Sequence, residues 1–363
     1  MSDISVLHID TGREFRGGQR QVLMMTIELK RMGIEQTIAI PEGSELDRRI
    51  DFIPKIKLAS NSFLRKILTG KIKKIAREKN INIIHAHDSA AHTIGLRLKR
   101  SITGARLIVT RRVIFPPSGR LSRKYKYSDR VDKFIAVSKA VADGLVSAGV
   151  DKDRVEVINS SLYIQAIKDD ISNWDIPNVI KDNCTSLITT AGALTKEKDY
   201  LTAIKAVSEA EKKIPGIGLL ILGKGPERPR LEKYISDSGL KNIFLLGHIE
   251  PMAPVFKKCE LFLLTSTSEG LNNSAVEAEA CGLPLVVSNV GGLPEIIGNG
   301  ENGILCEVGN YRNFADAMVR ILSDKNMKIK MGLKSLDISN KFNIVENVQK
   351  ISDLYKRVLA GNN

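Results

Sequence analysis

The chain has 363 residues, 43% of them hydrophobic, which is long enough for two domains with large cores and excludes a disordered or fibrous protein. Of its 55 basic and 41 acidic residues, 31 and 17 lie before residue 166, so the whole formal surplus of +14 falls in the first half. Such asymmetry points to one domain that meets an anionic surface and one that does not. No stretch approaches the length of a membrane span, no basic-then-apolar leader opens the chain, and Cys184, Cys259, Cys281 and Cys306 are too far apart for the common zinc or redox pairs. A cytoplasmic enzyme whose thiols are small buried hydrophobes is the expectation.

Residues 4–9 and 37–40 read as short strands, separated by a loop at 11–18 and an amphipathic helix from about 19 to 32. The pair Gly17-Gly18 opens that helix. Without side chains it lets a ligand approach the backbone at a positive helix end, although glycines are also ordinary turn residues. The three-glycine spacing of a dinucleotide fingerprint is missing, so no nicotinamide cofactor is inferred. Residues 64–79 place Leu64, Leu68, Ile72 and Ile75 on one face of a helix and lysines and arginines on the other.

The buried strand 81–86 closes with His85-Ala86-His87-Asp88. Alternate residues of an extended segment share a side, which makes a metal pair conceivable. Two imidazoles are not a zinc site, however, and the spacing supplies no further ligands, so no metal is expected. Strands at 106–110 and 131–137 bracket the segment 111–130, which holds two prolines, seven basic residues and Phe115, Tyr125 and Tyr127, and reads as surface rather than core. A helix at 138–148 and a strand at 155–158 follow, with Asp151-Lys152-Asp153 as a solvated turn between them.

Residues 166–184 contain Trp174 and Pro177 without a clear period and read as a linker between a domain at 1–165 and another at 185–342. Strands at 187–191, 219–222, 243–246, 261–264 and 285–287 then alternate with helices, and 343–363 ends the chain as an amphipathic helix. Two runs of such alternation give an α/β class with two doubly wound parallel sheets facing across a cleft. After the strand at 187–191, the small-residue turn Ala191-Gly192-Ala193-Leu194 leads to Lys196 and Lys198. A lysine there suits a diphosphate, and surface lysines at a helix start are the plain alternative.

The stretch 265–288 carries the most chemistry. The apolar run 261–264 ends in a loop containing Glu269, Gly270 and Leu271, and Asn272, Asn273 and Ser274 offer caps for a helix that Gly282 and Pro284 stop. A strand, loop and helix in that order aim helix N–H groups at whatever lies beyond the strand's carboxyl end. Glu269 and Glu277 flank that point, although Ser274 to Glu277 also fits a capping box.

Glu-Gly, seven residues between the two glutamates, and Glu-Ala-x-Ala-Cys-Gly-Leu-Pro resemble the nucleotide-sugar site of retaining glycosyltransferases with the GT-B fold, in the large family (glycosyltransferase family 4, "glycosyl transferases group 1") that includes sucrose synthases and many bacterial surface-polysaccharide enzymes. The resemblance implies that Glu277 binds the donor's ribose hydroxyls, that Glu269 sits beside the donor sugar, and that Gly270, Leu271, Asn272 and Asn273 line the donor loop. It further implies that Gly17-Gly18, within Arg16-Gly17-Gly18-Gln19, lies under the donor phosphates or sugar, that His87 reaches the reaction centre while His85 packs or orients the loop, and that the final helix returns to the first domain. Lys198 matches the family's phosphate-binding lysine, but Ala193 stands where the family has arginine, leaving one cation where two are usual. Gly223-Lys224-Gly225-Pro226 and the turn 291–295 are also family-like.

The implied activity is transfer of a sugar from a nucleotide-sugar donor to a glycan or lipid-linked acceptor in bacterial-type cell-surface polysaccharide or lipopolysaccharide synthesis, with no cofactor beyond the donor. An anionic membrane surface is the partner expected for the basic domain, with a solvated basic face as the alternative. A nucleotide-sugar epimerase of the same fold is the runner-up. A basic nucleic-acid-binding protein is disfavoured, because only 5% of residues are aromatic.

Overall fold

Apolar runs of four to seven residues, rich in isoleucine, valine and leucine and bounded by turns, form the central parallel strands, which are buried on both faces as parallel sheets require. The computed structural model describes residues 4–58, 70, 72–114 and 119–361. The chain divides into two units, Met1–Ser161 with Ile344–Asn363, and Leu162–Asn343.

Unit 1 is built on a sheet of seven parallel strands, β1 (Ser5–Ile9), β2 (Glu35–Pro41), β3 (Lys55–Leu58), β4 (Ile83–Ala86), β5 (Arg106–Arg111), β6 (Lys133–Ala136) and β7 (Val155–Val157). Their order is β3-β2-β1-β4-β5-β6-β7, so the order reverses between β1 and β4. Helices Gly17–Arg31, Ser89–Lys99 and Lys139–Ser147 cross between strands. The helix Ile344–Leu359 packs against Gly17–Arg31, buries Tyr355 completely and ties Arg357 to Glu156 at 2.7 Å.

Unit 2 carries six parallel strands, β8 (Ser186–Ala191), β9 (Ile217–Leu222), β10 (Ile243–Gly247), β11 (Leu261–Leu264), β12 (Leu285–Ser288) and β13 (Gly303–Cys306), in the order β10-β9-β8-β11-β12-β13. Its reversal lies between β8 and β11. Leu219, Ile221, Leu261, Leu263 and Val286 are sealed by Ala203 and Val207 of the helix Tyr200–Glu211 and by Phe314 and Met318 of the helix Tyr311–Ser323. Each of the larger side chains among these contributes roughly 1.5–3 kcal/mol of burial, and the Ala203 methyl less.

The structure differs from two sequence expectations. Residues 162–165, expected in the first domain, and residues 166–184, expected as a linker, both fall within unit 2. Ile164 and Ile167 of the helix Ile164–Asp169 are buried, and Lys168 Nζ donates to Leu336 O at 2.9 Å and Asn340 Oδ1 at 2.7 Å. Tyr127 is core: it is buried edge-on against Phe134, with ring centroids 5.8 Å apart. Within the expected basic helix, residues 72–78 are helical with Ile72 and Ala76 buried, whereas Leu64, Leu68, Lys71 and also Phe115 lie outside the described residues. Among the described residues, no helix is long and apolar enough to cross a membrane. Cys259 and Cys306 are buried, and burial pushes the Cys306 thiol up to about 12.

Candidate active site

In open α/β sheets, ligands bind outside the carboxyl ends of the strands where the strand order reverses. In unit 2 that place is defined by the ends of β8 and β11. After β8, Gly192 and Ala193 form a tight turn held by backbone from the next strand's turn: Gly192 N donates to Leu222 O at 2.9 Å and Leu194 N to Lys224 O at 2.9 Å. A Cβ at Gly223 would stand 1.8 Å from the Gly192 carbonyl oxygen, so the two turns touch through bare backbone. The Gly223-Lys224-Gly225 segment therefore shapes the neighbouring turn.

A short 3-10 turn, Lys196–Lys198, follows and ends at Asp199 in the left-handed region, with φ 45°. The loop after β11 is strapped to it. Thr267 N donates to Glu197 O at 2.8 Å, and Thr265 Oγ1 donates to Asp199 O at 2.8 Å. These straps bring together two residues 71 apart in sequence: Lys198 Nζ forms an ion pair with Glu269 Oε1, with both side chains mostly buried. The same Glu269 oxygen accepts from Ser266 Oγ at 2.8 Å and Asn272 Nδ2 at 2.9 Å. Gly292 N donates to Glu269 O at 3.2 Å, fixing the turn 291–295 to the same loop. The stem of Lys198 runs past Gly192, where a Cβ would lie 3.6 Å from its Cε and 3.1 Å from the Tyr200 hydroxyl.

Asn272 caps the helix Asn273–Ala280 through its side-chain oxygen, which accepts from Ala275 N at 2.8 Å. Asn272 rather than Ser274 is therefore the cap, so Glu277 sits beyond the position that a capping box assigns to its glutamate. Glu277 is 1% exposed. Gly270, Leu271 and Asn273 are partly exposed along the same loop and helix start.

Sequence reasoning missed Glu279, which is wholly buried on the same helix and accepts from Asn302 Nδ2 at 2.7 Å. Burial raises its pKa well above the carboxylate range, against the smaller lowering by Asn302. Because the folded pKa is raised, the stability this group contributes is full below about pH 4.3 and is lost as pH rises through the folded value. Glu279→Gln keeps the Asn302 bond and has no proton to lose. It is expected to stabilise the fold by about 1–3 kcal/mol at pH 8, with a smaller gain at pH 5. Denaturant unfolding at both pH values checks this, and an equal effect at both would contradict it.

In unit 1 the corresponding place lies at the ends of β1 and β4. Asp10 follows β1 and accepts from Gly12 N at 2.8 Å and Gln19 Nε2 at 3.1 Å, which folds the loop onto the start of the helix at Gly17. Asp88 follows β4, caps Ser89–Lys99 by accepting from Ala90 N and Ala91 N at 2.8 Å, and takes Thr11 Oγ1 at 2.8 Å. Arg112, just past β5, donates from Nη1 to the His87 carbonyl at 2.6 Å and lies along Gly18, where a Cβ would meet its Cδ at 3.6 Å. Arg112 was not singled out by sequence. The one signal was a pair of arginines directly after a buried strand, read there only as part of a basic segment.

The structure also adds a third imidazole to His85 and His87. His8, on β1, is in register with His85, and ligating atoms of the three buried rings lie within 4.8 Å of one another. Strand pairing thus supplies a neighbour that spacing along the chain could not show. The rings are already engaged with one another and with neighbours. His8 Nδ1 faces His87 Nε2 at 3.1 Å, His8 Nε2 faces Gln36 Oε1 at 3.1 Å, and His85 faces the Tyr355 hydroxyl at 2.6 Å and Thr110 Oγ1 at 2.7 Å. This is a hydrogen-bonded set whose donor atoms are largely used within the protein.

Two doubly wound units, each with polar groups gathered where its strand order reverses, define a nucleotide-binding class of fold. Residues 15–161 match the family model "Glycosyltransferase Family 4", and residues 185–324 match "Glycosyl transferases group 1". The chain is 23% identical to the lipopolysaccharide core biosynthesis glycosyltransferase LpsE of Rhizobium meliloti, over 98% of this chain and 99% of that protein. It is 26% identical to the Escherichia coli UDP-Gal:alpha-D-GlcNAc-diphosphoundecaprenol alpha-1,3-galactosyltransferase, over 98% of this chain and 97% of the relative. Among solved structures, Anabaena HepE in complex with UDP-glucose superposes with a TM-score of 0.84 at 19% identity, over 97% of this chain and 99% of that one. The chain belongs to the group 1 glycosyltransferases of the GT-B fold.

Proposed function

We propose that this glycosyltransferase is retaining and moves a sugar from a nucleotide-sugar donor to a glycan or lipid-linked acceptor in cell-surface polysaccharide or lipopolysaccharide synthesis. The observation that carries the reading is the Lys198–Glu269 pair, held at the β8/β11 reversal beside the start of the helix Asn273–Ala280. In this reading Lys198 stabilises charge on the departing diphosphate, the step at which preorganised positive charge has most effect. Glu277 receives the ribose hydroxyls, and Gly270, Leu271, Asn272 and Asn273 form the donor loop. Glu269 orients the donor sugar and is not assigned as a covalent nucleophile, since one of its oxygens already serves three donors. Retention then follows from attack on the face that the leaving group vacates, with the diphosphate accepting the proton. In unit 1, Gly17 and Gly18 are assigned to the donor phosphates or sugar, and His87 to a sugar hydroxyl.

The named donors of the similar proteins, UDP-Gal in the Escherichia coli relative's name and UDP-glucose in the HepE complex, make uridine-linked hexoses the first to test. A panel of nucleotide sugars, screened for thermal stabilisation and for release of the nucleoside diphosphate, checks the assignment. No response to any of them from folded protein would contradict it.

A lipid-linked acceptor is presented at a membrane, and one feature of unit 1 favours docking there. On the short helix Arg120–Lys126, Leu121 is 84% exposed beside exposed Arg123 and Lys124. Each basic side chain near an anionic surface contributes roughly 1 kcal/mol within a Debye length. Reversal of Lys73, Arg123 and Lys124 to glutamate is expected to abolish sedimentation with anionic vesicles at low salt. Equal or tighter binding of the unaltered chain to duplex DNA, or none to vesicles, would contradict membrane docking.

A further inference from the structure

Of the ring nitrogens of His8, His85 and His87, Nδ1 of His87 has no hydrogen-bond partner among the described residues, although the side chain is 3% exposed. A buried acceptor left open costs free energy unless a ligand or water meets it. What that atom can do depends on where the ring keeps its proton, and the chain of bonds behind it decides this. The carbonyl of Thr26 can only accept, so Gln36 turns its Nε2 toward it at 3.1 Å and presents Oε1 to His8 Nε2. An amide oxygen also only accepts, so His8 carries its proton on Nε2 and has a bare Nδ1. That lone pair faces His87 Nε2 at 3.1 Å, which must therefore donate. His87 is left with a proton on Nε2 and a lone pair on Nδ1.

The surroundings keep this arrangement from changing by protonation. Burial lowers the pKa of His8 to about 3 and that of His87 well below the ordinary histidine value. His85, with its ring centroid 4.1 Å from that of His87, and also His8 and Arg112 oppose a positive charge on His87. The carboxylates of Asp10 and Asp88 act on Arg112.

We propose that Gln36 and His8 are positioning residues that fix the tautomer of His87, so that its Nδ1 accepts a hydrogen bond from a hydroxyl of a bound sugar. The sugar rests on the functional reading above, whereas the tautomer does not. Selective nitrogen-15 labelling of the five histidines of the whole chain, with long-range proton–nitrogen correlation, reads the tautomer without substrate. Expected is a His87 with Nε2 protonated and Nδ1 bare, unchanged from pH 8 to pH 5.5.

Gln36→Glu places a carboxylate against His8 and favours a second proton on its Nδ1. That proton donates to His87 Nε2, so the His87 proton is expected to move to Nδ1. Should the buried charge prevent folding, Gln36→Met removes the fixed end without charge, and both His87 tautomers are expected. With an active nucleotide sugar, Gln36→Met should lower kcat/KM roughly tenfold or more, as when an imidazole loses the partner that sets its tautomer. Protonated Nδ1 in the unaltered chain, or tautomers indifferent to both substitutions, would overturn the relay. The expected tautomers with unchanged kcat/KM would overturn the sugar contact, and their presence in a chain that transfers no sugar would overturn the functional reading while supporting the relay.

Discussion

Lys198→Ala is expected to lower turnover by on the order of a hundredfold or more, the loss that follows removal of one preorganised group stabilising developing charge. The side chain is placed for that effect. Its ammonium is tethered by Glu269, its stem is confined beside Gly192, and its turn is strapped by Thr265 and Thr267. Because Ala193 offers no charge from the adjacent turn, nothing in that turn compensates. Ala193→Arg should leave activity level or higher. Lys198→Ala also leaves Glu269 without its cation, so the stability of that variant must be measured beside its turnover, since a lost partner in a mostly buried pair is itself destabilising. A folded Lys198→Ala protein with normal turnover would move the phosphate site elsewhere.

Glu277→Ala is expected to weaken nucleotide-sugar affinity about tenfold to a hundredfold, the range of one or two hydrogen bonds to a charged acceptor. Calorimetric titration of the donor checks it. A purely structural role predicts a different result. Donor affinity would be unchanged, and stability alone would fall by about 1 kcal/mol, as for a lost cap interaction. The finding that Asn272 is the cap makes the first result the expected one.

Most of the fold was legible because buried parallel strands are short apolar runs, and eleven of the thirteen strands among the described residues were read within a residue or two. The two overlooked, Lys55–Leu58 and Gly303–Cys306, are edge strands of their sheets. Lys55 and Lys57 alternate with apolar residues, and Gly303 opens the other strand, so neither presents the continuous apolar run of a central strand. The helix that spans the expected domain boundary at 165–166 was hidden for a similar reason. Ile164 and Ile167 are only two apolar positions, and the lysine that fastens their helix finds its partners on residues 336 and 340. Glu269, Glu277 and Lys198 could be singled out in sequence because each falls in the loop, turn or helix that directly follows a strand. His8, Gln36 and Arg112 could not, since their importance comes from register between strands: His8 opposite His85, and Gln36 on the neighbouring strand. Burial of Glu279 was equally invisible, because a glutamate among alanines reads as a helix former and its partner Asn302 lies 23 residues away.

Proton NMR of the reaction tests the central claim most directly, by following the anomeric signal of the donor and that of the new glycosidic bond as a uridine-linked hexose panel is consumed. The account predicts release of the nucleoside diphosphate and a product whose anomeric configuration equals that of the donor. An inverted product, or a free epimerised nucleotide sugar formed without any acceptor, would contradict it.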